Sequence, residues 1–120
     1  MITLVSFGAN LRDLPGGLDL LVDAREFPNP PRHLRAGTGL DRPVADYVLL
    51  TNPLAVPLCH QIAATIDILA SDHDTVTAAV MCATGRHRAP AIVEFLAGWL
   101  RAAYGRDVST RHLELEGPAE

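Results

Sequence analysis

The amino-acid sequence predicts an α/β fold, a small and mainly parallel sheet with flanking helices. Short runs of β-branched and apolar residues alternate along the chain with longer segments whose apolar residues recur at helical spacing. This alternation favours parallel strands that are connected by helices. The chain has 120 residues, of which 48% are hydrophobic and 20% are charged, so we expect one globular domain over residues 1–120.

Four segments have the composition of buried strands, namely residues 2–7, 18–25, 75–81 and 108–115. Gly8 follows the first strand and Cys82 follows the third, while Asp23 and Arg25 stand at the carboxyl end of the second. Open α/β sheets bind ligands outside the carboxyl ends of their strands. These polar ends are therefore predicted to lie at the ligand-binding edge of the sheet.

Three segments have the periodicity of helices, namely residues 43–50, 54–70 and 90–103. Asp41 is placed to cap the first helix, and Gly105 is expected to end the third. The predicted buried positions are Leu58, Ile62, Ile66 and Leu69 in the second helix and Ile92, Phe95, Leu96, Trp99 and Ala103 in the third. A long irregular loop is predicted over residues 26–42 and a frayed tail over 117–120.

The composition excludes several classes of chemistry. The net charge of −4 gives no general attraction to nucleic acids or anionic membranes. All ten basic residues are arginine, which excludes lysine catalysis and a nucleotide-binding P-loop of the G-x-x-x-x-G-K-[ST] type. Two cysteines make neither a disulfide framework nor a metal cluster, so no cofactor or metal is expected. The N-terminus lacks the features of a signal peptide, and no apolar run has membrane-spanning length, which predicts a cytoplasmic location.

The segment CATGRHR, residues 82–88, is predicted to bind a phosphate group. It lies between a strand and a helix, where backbone amides and the helix dipole attract anions. Thr84 and Gly85 form the turn, and Arg86, His87 and Arg88 add basic side chains. Arginine suits phosphate because its planar fork can bind two oxygens at once.

The same segment has the spacing C-x-x-G-x-x-R of cysteine-dependent phosphatases. In that interpretation Cys82 is the nucleophile, Arg88 holds the oxyanion, and Asp41 is the candidate general acid. Met81 and Ala89 stand where those enzymes have a histidine and a hydroxyl residue, which weighs against it. In the other interpretation the loop binds a phosphorylated ligand and leaves it intact, with no catalytic residue.

Several blocks in order resemble the C-terminal domain of the RNase adapter protein RapZ family. They are VSFG (5–8), DAREFPNP (23–30), LRAGTGLDRPVA (34–45), MCATGRHRA (81–89) and the pair Arg111-His112. The resemblance implies a fold similar to part of phosphofructokinases, within proteins that also have an N-terminal P-loop nucleotide-binding domain. It implies a regulatory domain that binds glucosamine 6-phosphate and small RNA, and that often self-associates as a homo-oligomer.

The resemblance also assigns candidate ligand contacts at matching positions. Thr84, Gly85, His87 and Arg88 match the phosphate loop of the family, and Asp23 matches an aspartate suited to the hydroxyl or ammonium groups of a sugar. The remaining matches are Arg35, Thr38, Gly39 and His112. A salt bridge from Asp23 to Arg25 or Arg35 is the alternative role for that carboxylate. His33 lies in a segment shorter than in the family, so whether it replaces a ligand contact stays open. The acidic segment 113–116 disfavours RNA.

Overall fold

A parallel sheet of four strands, covered by three helices, forms the fold in a computed structural model that describes residues 1–116. The strands are β1 (Ile2–Gly8), β2 (Leu20–Asp23), β3 (Val76–Cys82) and β4 (Val108–His112). The helices are α1 (Arg42–Leu50), α2 (Ala55–Asp72) and α3 (Arg88–Tyr104). Every pairing in the sheet is parallel, in the order β2-β3-β1-β4. The predicted α/β class and parallel sheet are confirmed.

The register of the sheet brings the four strand ends to one edge, which we call the carboxyl edge. Gly8 pairs with Cys82, and Asp23 pairs with Met81. On the other side of β1, Ser6 pairs with His112. Because all strands are parallel, the loops that leave their ends meet above this edge.

The helices pack against one face of the sheet. The alternation of side chains in β1 directs Ile2 and Leu4 into the main core, in which the helices bury residues such as Ile66 and Leu96. Val5 and Phe7 point to the other face, where they form a smaller cluster with Ala79 and with partly buried Leu18. The face without helices is thus covered by a few loop side chains.

Strand β2 is shorter than the predicted segment 18–25, because side chains take over the pairing at both ends. The carboxylate of Asp19 accepts the amide of Thr77 at 2.8 Å, where a strand residue would otherwise pair. At the other end Asp23 accepts the amide of Arg25 at 3.0 Å, which turns the chain away. Strand β4 likewise ends at His112 and not at 115, since the carbonyl of His112 accepts the amides of Leu115 and Glu116 in a turn.

The predicted stripes of α2 and α3 are right in part. Six of their nine positions lie in the core or pack against it, namely Ile62, Ile66, Leu69, Ile92, Phe95 and Leu96. In α2 the predicted residue Leu58 is 49% exposed, whereas Cys59 and Ala63 are buried because small side chains allow close helix packing. In α3, Trp99 is 37% exposed and Ala103 is also exposed. The buried positions of α3 are Ala89, Pro90, Ala91, Ile92, Val93, Leu96, Ala97 and Leu100. This wide stripe reflects the contacts of α3 with the sheet and with both other helices.

The ends of the helices differ in how well local chemistry predicted them. Gly105 ends α3 in the left-handed conformation, with φ of 64°, as predicted. Asp41 occupies the N-cap position of α1 but makes no capping hydrogen bond to that helix. Its carboxylate accepts the amide of Thr38 at 2.7 Å instead, so it holds the preceding turn. The expectation of a frayed tail concerns residues outside the described range.

No single helix among residues 1–116 is long and apolar enough to cross a membrane. Helices α1 and α2 reach that length only together, and they meet at a bend of 92°.

Candidate anion-binding site

The loop of residues 83–87 connects β3 to α3 at the carboxyl edge and touches the end of β1. Gly85 has φ of 71°, which only glycine adopts without strain. A Cβ atom on Gly85 would lie 2.6 Å from the backbone nitrogen of Gly8. A Cβ atom on Gly8 would lie 2.6 Å from the carbonyl carbon of Thr84. The two glycines therefore allow the backbones of β1 and the loop to pack directly against each other.

The five backbone amides of this loop, and that of Arg88 at the start of α3, differ from the amides on either side of them. Within residues 1–116, none of the amides from residue 83 to residue 88 donates a hydrogen bond, whereas the next amide, of Ala89, donates to the sulfur of Cys82 at 3.4 Å. Strand residues before them are paired in the sheet. Amide groups at the start of a helix that lack partners form an anion-binding arrangement, since their dipoles add to the helix dipole.

The segment of residues 35–41 packs against this loop from the side of α1. The amide of Gly39 donates to the carbonyl of Arg86 at 2.8 Å. His87 is 9% exposed, and its Nε2 lies 2.9 Å from the carbonyl oxygen of Arg35. A carbonyl oxygen only accepts, so Nε2 carries the proton in this contact. His87 thus joins two loops, and Arg35 and Gly39 take part through their backbone.

The guanidinium groups of this region differ in their surroundings. The guanidinium of Arg35 donates to the carbonyl of Pro30 at 2.8 Å. Arg86 is exposed, and its guanidinium makes no hydrogen bond or ion pair with any residue from 1 to 116. Thr84, at the turn, is also exposed. Arg86 therefore retains its full donor capacity for a ligand at the loop.

Arg88 links the start of α3 to the end of β2. Its Nη1 donates to the carbonyl of Arg25 at 2.6 Å, while its Nε is buried and has no partner among the described residues. A buried donor that lacks a partner carries a desolvation cost that an anionic acceptor would relieve. The unpaired Nε thus makes Arg88 a candidate ligand for an anion.

Asp23 lies beside Arg88 and is already paired. Its carboxylate accepts hydrogen bonds from Nε and Nη2 of Arg25 at 2.9 and 2.8 Å. The structure therefore contains the salt bridge to Arg25 that was the alternative prediction for Asp23. Hydrogen bonding from Arg25, and more weakly the charge of Arg88, holds the pKa of Asp23 below its ordinary value. The side chain of Asp23 is 45% exposed and anionic, and it keeps free acceptor capacity toward solvent.

His112 lies two strands away from β3 and is engaged elsewhere. Within the described part of the chain its ring bonds to the hydroxyl of Ser6 at 2.8 Å and to the carboxylate of Glu94 at 2.7 Å. The serine is fully buried, so this Ser–His–Glu row has no accessible nucleophile and holds β1, β4 and α3 together. Sequence reasoning missed Ser6 and Glu94, because nothing local connects positions 6, 94 and 112.

The geometry of Cys82 does not favour the phosphatase interpretation. Its side chain is 1% exposed, and its sulfur accepts the amide of Ala89 at the start of α3. Asp41, the candidate acid, is bound to the amide of Thr38. No group of three His, Cys, Asp or Glu residues able to hold a metal ion occurs between residues 1 and 116.

Comparison with protein families and with known proteins gives matches along nearly the whole chain. The family described as the RapZ C-terminal domain matches residues 1–116. A nucleotide-binding protein of Corynebacterium aurimucosum is 36% identical over 95% of this chain, and one of Leifsonia xyli subsp. xyli is 38% identical over 95%. A third, of Ralstonia nicotianae, is 37% identical over 95%.

The match covers only part of each relative. The chain spans 41% of the length of the Corynebacterium protein and 40% of the length of the Leifsonia and Ralstonia proteins. The family match extends over all four strands, the three helices and the loop of residues 83–87. The chain belongs to the RapZ C-terminal domain family.

Proposed function

We propose that this domain binds a phosphorylated small metabolite at residues 83–88 and acts as a regulatory binding domain. The observation that carries the proposal is the run of six backbone amides, of residues 83–88, that have no acceptor among residues 1–116 and lie beside the guanidinium groups of Arg86 and Arg88. Phosphate offers up to three terminal oxygens to such an array, and its charge is stabilised by the helix dipole. Thr84 and Gly85 supply the amides at the turn.

The chemical class of the metabolite is an amino-sugar phosphate such as glucosamine 6-phosphate. Asp23 presents an anionic, partly exposed carboxylate next to Arg88, suited to an ammonium group or to hydroxyls.

RNA is the less favoured ligand. Five arginines already pair with carboxylates, which lowers the local positive potential that an RNA backbone needs. They are Arg12, Arg25, Arg42, Arg106 and Arg111. The relatives are named nucleotide-binding proteins, and this chain corresponds to about two fifths of their length. Nucleotides therefore belong in the same experiment as sugar phosphates.

Thermal unfolding with a panel of ligands tests the proposal. At 100 times the dissociation constant a ligand stabilises the folded state by about 2.7 kcal/mol, which raises the melting temperature by roughly 5 °C or more. Glucosamine 6-phosphate should give such a shift, glucose 6-phosphate and inorganic phosphate a smaller one, and glucosamine none. A nucleotide and a short RNA complete the panel. The proposal fails when none of the phosphorylated compounds shifts the melting temperature.

A further inference from the structure

The carboxylate of Glu114 lies directly behind the loop of residues 83–87. A Cβ atom on Gly85 would come within 2.5 Å of Cγ of Glu114, so the side chain touches the turn of the loop. Its oxygen Oε2 accepts the amide of Gly8 at 3.1 Å, and the side chain is only 6% exposed. A buried acid thus contacts both glycines whose backbones meet beneath the site.

This contact continues the pairing of β1 with β4 past the end of β4. The last backbone bond in that direction runs from the amide of Leu113 to the carbonyl of Ser6, at 3.0 Å. At the next position the chain has already turned, and the side chain of Glu114 takes the amide of Gly8 in place of a carbonyl. The position of Gly8, and through it that of Gly85, therefore depends on this carboxylate.

A buried negative charge at this place opposes the binding of an anion. The carboxylate contacts the turn, so their separation is shorter than the Debye length of about 8 Å at physiological ionic strength. The repulsion therefore acts at low salt and weakens as added salt shortens that length. Hydrogen bonding from Arg12 holds the pKa of Glu114 below its ordinary value of 4.5, so the group is ionised at neutral pH.

Arg12 supplies the compensating charge. Its Nη2 lies 2.6 Å from Oε1 of Glu114, and its Nε donates to both carboxylate oxygens at 3.0 Å. The pair joins the loop after β1 to the segment after β4. Among residues 1–116, Glu114 is the only carboxylate that accepts the amide of Gly8, and Arg12 is its ion-pair partner.

We propose that Glu114 is a positioning residue for the phosphate loop, and that Arg12 sets the affinity of that loop for anions by neutralising Glu114. The proposal rests on the proposed function of residues 83–88. Neither residue needs to touch the ligand. Glu114 acts through Gly8 and Gly85, and Arg12 acts through the net charge beneath the loop.

Titration calorimetry with inorganic phosphate at low salt tests both parts. Arg12→Ala leaves the charge of Glu114 uncompensated and should weaken binding by about fivefold to tenfold, an effect that diminishes as salt is added. Glu114→Gln keeps an acceptor for Gly8 without the charge, so the double variant Arg12→Ala/Glu114→Gln should bind within about twofold of wild type. The matched control is Arg111→Ala, which removes an exposed Arg–Glu pair from the same C-terminal segment and should change nothing.

The positioning role of Glu114 is tested by two measurements, the affinity for phosphate and the hydrogen exchange of the Gly8 amide. Glu114→Gln removes the charge and keeps the acceptor, whereas Glu114→Leu removes both. Because only the Leu variant loses the bond to Gly8, it should bind phosphate more weakly than the Gln variant and show faster hydrogen exchange of the Gly8 amide. Wild-type affinity in Arg12→Ala at low salt, or no recovery in the double variant, overturns the charge compensation. Equal affinity and equal Gly8 exchange in the Leu and Gln variants overturn the positioning role. Absence of phosphate binding by the wild type defeats the proposed function, and this inference with it.

Discussion

Replacing Gly85 with alanine is expected to destabilise the protein by roughly 3 kcal/mol, the largest effect we predict for any single methyl group. Two costs add at this position. The residue has φ of 71°, which is strained for alanine, and the new Cβ would lie 2.6 Å from backbone atoms of both Phe7 and Gly8. Strand β1, which contains both residues, cannot move away because it is paired with β3 on one side and β4 on the other.

Gly17 is the matched control for this substitution. It has the same φ of 71°, but a Cβ atom there would meet nothing within 4 Å. Gly17→Ala should therefore cost about 1 kcal/mol, which is the conformational term alone. Urea unfolding of the two variants measures the difference. Equal free energies of unfolding would show that the loop does not pack against β1 as described.

Replacing Arg88 with alanine is expected to weaken phosphate binding by about 10-fold to 100-fold. The guanidinium has a buried Nε without a partner among the described residues, and its charge stands at the first residue of α3. A hydrogen bond to a charged group contributes about 1.5–3 kcal/mol, which sets this range. Arg88→Lys keeps the charge but not the planar fork, so it should give an intermediate affinity.

Arg42→Ala provides the control for Arg88→Ala. Arg42 is also the first residue of a helix, but its side chain is 91% exposed. Its Nε lies 3.7 Å from Oδ2 of Asp46, which is a long and weak ion pair. Its removal should leave phosphate affinity within about twofold of wild type. Calorimetry on both variants, together with their melting temperatures without ligand, separates a loss of binding from a loss of folding. Similar phosphate affinities in the two variants would remove Arg88 from the proposed site.

The sequence predicted the class of each element because its composition and periodicity are local properties. The start of β2 could not be predicted from its own residues. It depends on Asp19, whose carboxylate accepts the amide of Thr77, 58 positions away in the chain. The buried face of α2 was predictable only in part. Ile66 is buried as its spacing indicates, but close packing of the helix places Cys59 and Ala63 in the core and leaves Leu58 exposed.

The candidate site was predictable to the same extent. A glycine turn between a strand and a helix, followed by arginines, is a local pattern, and the loop of residues 83–87 lies where it indicated. The roles of Gly8, Arg12 and Glu114 were not visible, because they depend on the parallel pairing of strands that are far apart in the chain. The composition of the acidic segment 113–116 indicates only an obstacle to RNA, whereas in the structure its Glu114 contacts the back of the loop.

Amide chemical shifts during a titration with glucosamine 6-phosphate test the central proposal most directly. The largest changes are expected in the backbone amides of residues 83–88, which donate no hydrogen bond within residues 1–116. The side-chain Nε of Arg88 should shift with them, as its buried proton gains an acceptor. Saturating changes elsewhere, with the shifts of the amides of residues 83–88 unchanged, would contradict ligand binding at this loop.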